Sequence, residues 1–222
     1  SPTKYESSRG NNGGNYATLN PLQNGGLTLA NGNLDVSKSS GNWRLTTGTI
    51  GISSGKFYWE YVATTAHDNH MVGVCDTDPN IQTFIGEFTP GWGYQSNGNK
   101  THGGSFTSVP SANSGGDIIQ IAVDMDAGKI WFGKNDTWQN TIGGTSVSKS
   151  DIAAGNNARY EDLNDDAEGP WMPVFGTYNA NEGHHIDVNF GGYTAATISS
   201  GNTDGNGFGN FEYAPPSGFL AI

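Results

Sequence analysis

Short stretches in which apolar and polar residues alternate recur along most of the chain and predict β-strands. Within residues 56–65, Trp59 and Tyr61 fall on one face of such a strand, while Tyr58 and Glu60 fall on the other. Because both faces carry aromatic side chains, we expect this strand to lie inside a two-sheet sandwich. Six further segments show a comparable pattern: 71–75, 92–96, 117–124, 129–132, 171–178 and 185–190.

Turn sequences separate the predicted strands. The pairs NG at 31–32 and NG at 97–98, and the triplet DAG at 126–128, provide residues that tolerate the positive φ of tight hairpins. Apolar residues do not follow helical spacing over any long window, so helix should be limited to a turn or two near 151–154. The pattern therefore predicts an all-β sandwich or barrel with little or no helix.

The chain is expected to form one domain. Residues 1–14 are polar and glycine-rich and predict a linker or arm, whereas residues 15–222 carry predicted strands throughout. Residues 155–170 are polar and acidic and predict a long loop. The apolar ending at 219–222, together with a start at Ser1, is typical of a fragment of a longer polypeptide.

Charge and cysteine content argue against several kinds of function. The 10 basic and 21 acidic residues give a net charge of −11, whereas nucleic-acid or anionic-lipid binding requires clustered lysine and arginine. No run of about 18 apolar residues is present, so we expect no membrane insertion. The single Cys75 can form neither an internal disulfide nor a cysteine zinc site, and its apolar neighbours predict burial.

Seven short motifs in order resemble those of the SPRY family, and the resemblance extends over roughly residues 43–191. It implies a bent, jelly-roll-like antiparallel sandwich of the concanavalin A-like type, in agreement with the strand pattern. The motifs are SGKFYWE at 54–60, MVGV at 71–74, GWGY at 91–94, GDIIQIAVDMD at 116–126, IWFGKN at 130–135, PVF at 173–175 and VNFG at 188–191.

The residues within these motifs are expected to be structural. Trp59 should lie in the core, and Glu60, on so apolar a strand, needs hydrogen-bond or cation partners. Carboxylates that flank turns are expected to accept backbone N–H groups. The full set of predicted structural residues is Trp59, Glu60, Gly91, Trp92, Asp117, Asp124, Asn135, Asn189, Phe190 and Gly191.

The flanking segments at 15–22, 29–34 and 213–219 resemble those of SPRY modules in tailed-phage and other environmental viral proteins. This resemblance implies a virion structural protein, such as a tail fibre, capsid fibre or decoration protein. A bacterial surface or secreted protein remains the alternative.

The sequence does not support catalysis or a bound cofactor. Asp124 and Asp126 are the best candidates for the paired carboxylates of a glycosidase, but Gly128 turns the chain directly after them. Neither a nucleophile elbow nor a dinucleotide-binding glycine motif is present. The acidic loop at 161–168 does not have the spacing of an EF-hand, and whether it binds Ca²⁺ stays open.

Recognition is the function that remains, because the resemblance implies binding through loops at one end of the sandwich. Aromatic side chains beside hydrogen-bonding ones are typical of paratopes and sugar sites. Trp138, in a polar stretch, is the best candidate for an exposed aromatic residue. Expected partners are a protein or glycan on a host surface, other virion proteins, or copies of the chain within a fibre; the alternative function is a carbohydrate-binding module. The candidate ligand-binding residues are Trp138, Tyr160, Tyr178 and the expected exposed loop His67, Asp68, Asn69 and His70.

Overall fold

A computed structural model describes residues 15–38, 41–64, 69–87, 90–108, 114–139, 146–165, 169–178 and 184–222. Within these ranges the chain forms fifteen strands and one short helix. The strands are β1 (Leu19–Asn24), β2 (Thr28–Ala30), β3 (Asp35–Lys38), β4 (Arg44–Gly48), β5 (Lys56–Ala63), β6 (His70–Cys75), β7 (Gly91–Gln95), β8 (Asn99–His102), β9 (Ser105–Ser108), β10 (Ile118–Asp124), β11 (Lys129–Lys134), β12 (Thr137–Gln139), β13 (Ser146–Val147), β14 (Met172–Thr177) and β15 (His184–Asn189). The helix is α1 (Lys149–Ala153).

The strands form two sheets whose strand pairs are all antiparallel. The seven-stranded sheet has the order β1-β4-β14-β6-β7-β8-β9, and the eight-stranded sheet has the order β13-β12-β11-β10-β5-β15-β3-β2. Among the described strands the chain passes from one sheet to the other at seven connections: β1–β2, β3–β4, β4–β5, β5–β6, β9–β10, β13–β14 and β14–β15. This arrangement confirms the predicted all-β, antiparallel two-sheet sandwich. No helix in the described ranges has the length and apolar character needed to cross a bilayer.

The local predictions agree closely with the observed elements. All seven predicted segments are strands, and their ends differ from the observed ones by at most two residues. Helix α1 lies at the predicted helical turn, where the Ser148 hydroxyl accepts the N–H of Asp151 at 3.1 Å and caps the first turn. Gly32, Gly98 and Gly128 have φ values of 74°, 94° and 65° in the predicted turns.

The main core lies between the two sheets. Trp59 and Tyr61 of β5 and Trp92 of β7 are fully buried there. A smaller cluster covers the opposite face of the seven-stranded sheet and contains Cys75, whose predicted burial is confirmed. Phe84 packs against this smaller cluster, so the segment that follows β6 covers that face.

A third apolar layer covers the outer face of the eight-stranded sheet. Tyr58 packs edge-on against Phe211 with ring centroids 4.9 Å apart, and Trp131 packs against Phe219 at 6.0 Å. The aromatic residues on both faces of β5 therefore have different neighbours: one face meets the other sheet and the second face meets the C-terminal segment, 204–222.

Trp138 belongs to this outer layer, and the prediction that it is exposed is wrong. Its side chain is only 2% exposed, and its ring centroid lies 6.2 Å from that of Tyr58. Val147, its partner in the β12–β13 ladder, and Ile152 of α1 belong to the same apolar cluster. The prediction is based on the polar residues next to Trp138 in the sequence. Those neighbours do not indicate that segments later in the chain cover its ring.

Candidate functional site

One end of the seven-stranded sheet brings four aromatic and three carboxamide side chains around a pocket of about 350 Å³. We call it the aromatic–amide pocket. Its described lining residues are Trp43, Asn69, Phe84, Gln95, Asn99, Phe106 and Tyr178.

The antiparallel strand order explains why these residues meet. Trp43 precedes β4, Tyr178 follows β14, Asn69 precedes β6, Gln95 ends β7 and Asn99 begins β8. In neighbouring antiparallel strands, the first residue of one strand lies beside the last residue of the next. All five positions therefore lie at the same end of the strands of this sheet. Residues that are distant in the sequence thereby form one surface.

The aromatic side chains form an unbroken row. The ring centroid of Trp43 lies 5.7 Å from that of Tyr178 and 6.1 Å from that of Phe84, which in turn lies 5.1 Å from the ring of Phe106. Tyr178 and Phe106, at the two ends of the row, are 45% and 46% exposed. The row therefore offers apolar ring surface to solvent and to a ligand.

A buried lysine holds the two sides of this row together. The ammonium group of Lys38 donates to the carbonyl oxygen of Asn42 and lies 3.3 Å from the carbonyl oxygen of Tyr178. The N–H of Asn42 also donates to the Tyr178 carbonyl at 2.9 Å. Burial lowers the pKa of Lys38, and the nearby Arg44 lowers it further. These contacts fix Trp43 and Tyr178 relative to each other.

The side-chain amides of the pocket use only some of their hydrogen-bond donors and acceptors within the described residues. The Nε2 of Gln95 donates to Oδ1 of Asn69 at 3.3 Å, while the main-chain carbonyl of Asn69 accepts the N–H of Tyr178 at 2.9 Å. The side chain of Asn99 makes no hydrogen bond with any described residue. None of the described lining residues carries a charge. The pocket can therefore offer stacking surface and neutral donors and acceptors.

Two of the predicted ligand-binding residues, Asn69 and Tyr178, lie in this pocket. Tyr160 lies elsewhere: it is half-buried, pairs with Ile130 at the start of β11, and packs against His102 with ring centroids 5.7 Å apart. Because β8 ends at His102 and begins at the pocket, Tyr160 is at the opposite end of the sandwich.

The expected exposed loop at 67–70 is only partly described. His67 and Asp68 lie outside the described residues. His70 is 2% exposed, so the expectation of an exposed side chain is wrong at this position. His70 is the first residue of β6, which lies between β14 and β7 in the sheet, and it is therefore buried rather than part of a loop.

Five lining residues were missed from the sequence: Trp43, Phe84, Gln95, Asn99 and Phe106. A usable signal existed for two of them, because Trp43 and Phe106 are single aromatic residues in polar, glycine-containing stretches. Trp138 has the same local pattern and is buried, so that signal alone does not separate pocket residues from core residues.

Glu60, of the YWE motif, is an internal anchor. It is fully buried, and its carboxylate accepts hydrogen bonds from the Tyr58 hydroxyl at 2.7 Å and from Nδ2 of Asn189 at 3.2 Å. It also accepts the backbone N–H groups of Glu212 at 3.0 Å and Tyr213 at 2.9 Å. Burial raises the pKa of Glu60, and these donors oppose that shift. The contacts with Tyr58 and Asn189 lie within the sheet, and the two backbone contacts hold the C-terminal segment on it.

The candidate catalytic carboxylates hold turns. Asp124 is buried, lies 2.9 Å from Nζ of Lys56 and accepts the N–H of Ala127 at 3.1 Å. Asp126 accepts the N–H of Gly55 at 2.9 Å. Asp124 therefore holds its own turn, and both carboxylates also join that turn to the residues at the start of β5.

Asp117 and Asn135 join β10 to the turn after β11. The Nδ2 of Asn135 donates to Asp117 at 2.6 Å, and its Oδ1 accepts the N–H of Ile118 at 2.8 Å. Asn135 has a φ of 48°, a conformation that asparagine tolerates better than most residues. The KN motif thus closes a turn.

Two motif glycines lie where a side chain would collide with its neighbours. A Cβ on Gly91 would lie 3.0 Å from the backbone nitrogen of Gly86, and one on Gly191 would lie 2.7 Å from Cβ of Ala221. Gly191 also has a φ of 107°. Phe190, directly before it, is buried in the main core.

The acidic loop is described up to Asp165, and residues 166–168 lie outside the described residues. The Oδ1 of Asp162 accepts the indole N–H of Trp92 at 2.8 Å, and His102 stacks on the same indole at 4.6 Å. Among the described residues, no group of three or more His, Cys, Asp or Glu side chains could hold a metal ion.

Solved structures with a similar fold include two isolated domains and one larger protein. The SPRY domain of human HERC1 gives a TM-score of 0.57 at 21% identity, with 77% of this chain and 96% of that chain covered. The PSpry domain of TRIM65 gives 0.54 at 16% identity, with 78% and 92% covered. Stonustoxin gives 0.50 at 18% identity, with 78% of this chain and 27% of that chain covered. At these identities the likeness is one of fold.

The sequence comparison gives a more specific result. The family model described as SPRY domain matches residues 56–192, which is more than half of the chain. A comparison with curated protein sequences gives no significant match. The match to the family model, together with the sandwich and the motif contacts described above, shows that the chain belongs to the SPRY domain family, whose members are protein-interaction modules.

Proposed function

We propose that this SPRY domain is the recognition module of a phage virion protein, and that it binds its partner through the aromatic–amide pocket. The observation that carries the proposal is the row of four aromatic rings, exposed at both ends, beside carboxamides that are only partly hydrogen-bonded. Exposed apolar surface with a few polar groups is typical of binding sites. SPRY domains are generally non-enzymatic, in keeping with a binding role.

The location in a virion rests on the flanking segments that resemble phage SPRY modules. Residues 29–34 form much of the β2–β3 hairpin, and Tyr16 packs against the main core. The resembling segments are therefore part of the folded domain. In a virion protein, the pocket would serve either attachment to a host surface or contact with another virion protein.

The pocket is tested by comparing two exposed tyrosines. Tyr178 lies in the pocket, whereas Tyr193 is 53% exposed beside a separate cavity lined by Tyr16 and Leu34. The purified domain is screened against a displayed random-peptide library and a glycan array. We expect ligands whose binding falls about tenfold in Tyr178→Ala and stays within twofold in Tyr193→Ala. Equal binding by both variants would contradict the role of the pocket.

The proposed location of the domain in a virion is tested by immunogold imaging with an antibody against this domain. Labelling of a capsid or tail in purified particles is the expected result. Labelling confined to the envelopes of uninfected cells would overturn the virion assignment and support the bacterial surface protein instead.

A further inference from the structure

We infer that the aromatic–amide pocket takes a neutral, hexose-based glycan. The inference rests on the proposed function of this pocket in recognition and names the chemical class of its ligand. It follows from three properties of the described lining: the shape of the aromatic row, the hydrogen-bonding capacity of the polar groups and the absence of charge among them.

The aromatic row suits a ligand with flat apolar faces. Adjacent rings are tilted by 54° between Trp43 and Tyr178, 59° between Trp43 and Phe84, and 41° between Phe84 and Phe106. The rings therefore do not form one continuous plane, and the two exposed ones, Tyr178 and Phe106, are separate apolar surfaces. The C–H faces of successive sugar rings are small apolar surfaces of this kind. The volume of about 350 Å³ is at the lower end of small-molecule sites and suits one or two sugar units.

The polar groups match hydroxyls. A carboxamide carries both donors and acceptors, and so does a hydroxyl group. The Asn99 amide has no hydrogen-bond partner among the described residues, and Gln95 uses only its Nε2. The Tyr178 hydroxyl and the Trp43 indole N–H also make no hydrogen bond within the described ranges. A ligand rich in hydroxyls can satisfy donors and acceptors together.

Charge disfavours ionic ligands. No described lining residue is charged, and the neighbouring cations Lys38 and Arg44 already donate to the backbone carbonyls of lining or adjacent residues. A carboxylate, phosphate or ammonium group in the pocket would therefore lose hydration without meeting an opposite charge among the described lining residues. The net charge of −11 further disfavours anionic glycans. Neutral hexoses and N-acetylhexosamines avoid both costs.

An extended peptide suits the same pocket less well. Peptides added to a sheet gain affinity from main-chain hydrogen bonds at a free strand edge. The strands at the three amides, β6, β7 and β8, already have a neighbour on each side, and among the strands that line the pocket only β9, which carries Phe106, ends the described sheet. An extended peptide could therefore pair with a strand only at the Phe106 end of the row, whereas the three amides are left for a ligand that brings its own donors and acceptors, as hydroxyl groups do.

The experiment measures binding to an array of neutral oligosaccharides, with sialylated, sulfated and uronic-acid glycans on the same array. Titration calorimetry with the best neutral oligosaccharide then compares Tyr178→Ala, Asn99→Ala and the control Tyr193→Ala. We expect about tenfold weaker binding for Tyr178→Ala, severalfold weaker binding for Asn99→Ala and a change within twofold for Tyr193→Ala. Melting temperatures should stay close to the wild-type value, because the Tyr178 side chain is exposed and that of Asn99 makes no hydrogen bond within the described residues.

Two other outcomes are informative. Binding only of acidic glycans, or of peptides that Tyr178→Ala weakens, would overturn the neutral-glycan inference and leave the recognition role of the pocket standing. Glycan and peptide binding that is equal in Tyr178→Ala and Tyr193→Ala would overturn both the inference and the proposed function.

Discussion

The backbone N–H of Tyr213 donates to the buried carboxylate of Glu60 at 2.9 Å, although the two residues are 153 positions apart. The N–H of Glu212 donates to the other carboxylate oxygen at 3.0 Å. One side chain of the central strand β5 thereby holds the C-terminal segment against the outer face of the eight-stranded sheet. The third apolar layer is thereby attached to β5 by hydrogen bonds as well as by apolar contacts.

Replacing Glu60 with glutamine should destabilise the domain by about 2–3 kcal/mol. The amide nitrogen of glutamine cannot accept a hydrogen bond, so at least one of the part-buried N–H groups of Glu212 and Tyr213 loses its acceptor. Urea denaturation measures the free energy of unfolding. The control is Glu161→Gln, because Glu161 is 56% exposed and forms only a surface ion pair with Lys129. Equal stability of the two variants would show that the Glu60 contacts are not required.

Replacing Trp138 with alanine should lower the free energy of unfolding by about 3–5 kcal/mol, because the ring fills a buried space beside Tyr58. Ligand binding at the aromatic–amide pocket should be unchanged under conditions where the variant is folded. Trp59→Ala, in the main core, should be destabilised to a similar degree. A Trp138→Ala variant of wild-type stability that fails to bind ligand would restore the original assignment of Trp138 as a contact residue.

The correct predictions concern features that neighbouring residues determine. Alternation along β5, the asparagine–glycine turn at 31–32 and the family motifs all lie within short windows. Strand formation depends on which side chains share a face, and hairpins depend on residues that tolerate positive φ. Strands and hairpin turns can therefore be predicted from a single short segment of the sequence.

The wrong prediction for Trp138 concerns contacts between distant segments. Trp138 is buried because Val147 and Phe211 belong to the same apolar cluster, and neither is indicated by the local polar pattern around Trp138. The lining of the pocket could not be predicted for the same reason. Trp43 and Phe106 line one site only because of the order of the strands in the sheet, and a single sequence does not specify that order.

Lys100 should make stability depend on pH. The side chain is fully buried, its Nζ lies 3.7 Å from the ring centroid of Tyr94, and its only acceptor among the described residues is the Gly98 carbonyl at 3.4 Å. Burial, with a smaller contribution from Arg159, lowers the pKa of Lys100 from 10.5 to about 6. Between these values the unfolded chain binds the proton and the folded chain does not, so stability should rise with pH.

The matched variant is Lys100→Met, which keeps the length of the side chain and removes the titrating group. Urea denaturation of both proteins is measured from pH 6.5 to 8.5. Over this range the free energy of unfolding of the wild type should rise relative to that of the variant by about 1 kcal/mol per pH unit. Below pH 6 the difference should level off, because Lys100 is then protonated in both states. Parallel curves across this range would contradict a lowered pKa.

Replacing Lys38 with methionine should loosen the aromatic–amide pocket, because the carbonyl oxygens of Asn42 and Tyr178 lose their buried donor. We expect a loss of about 1–3 kcal/mol in stability. Hydrogen exchange of the Asn42 amide, which donates to Tyr178, should accelerate more than exchange in β10. Lys149→Met is the control, since Lys149 pairs with Asp136 at the surface. Unchanged Asn42 exchange in Lys38→Met would show that the two sides of the pocket are held together without Lys38.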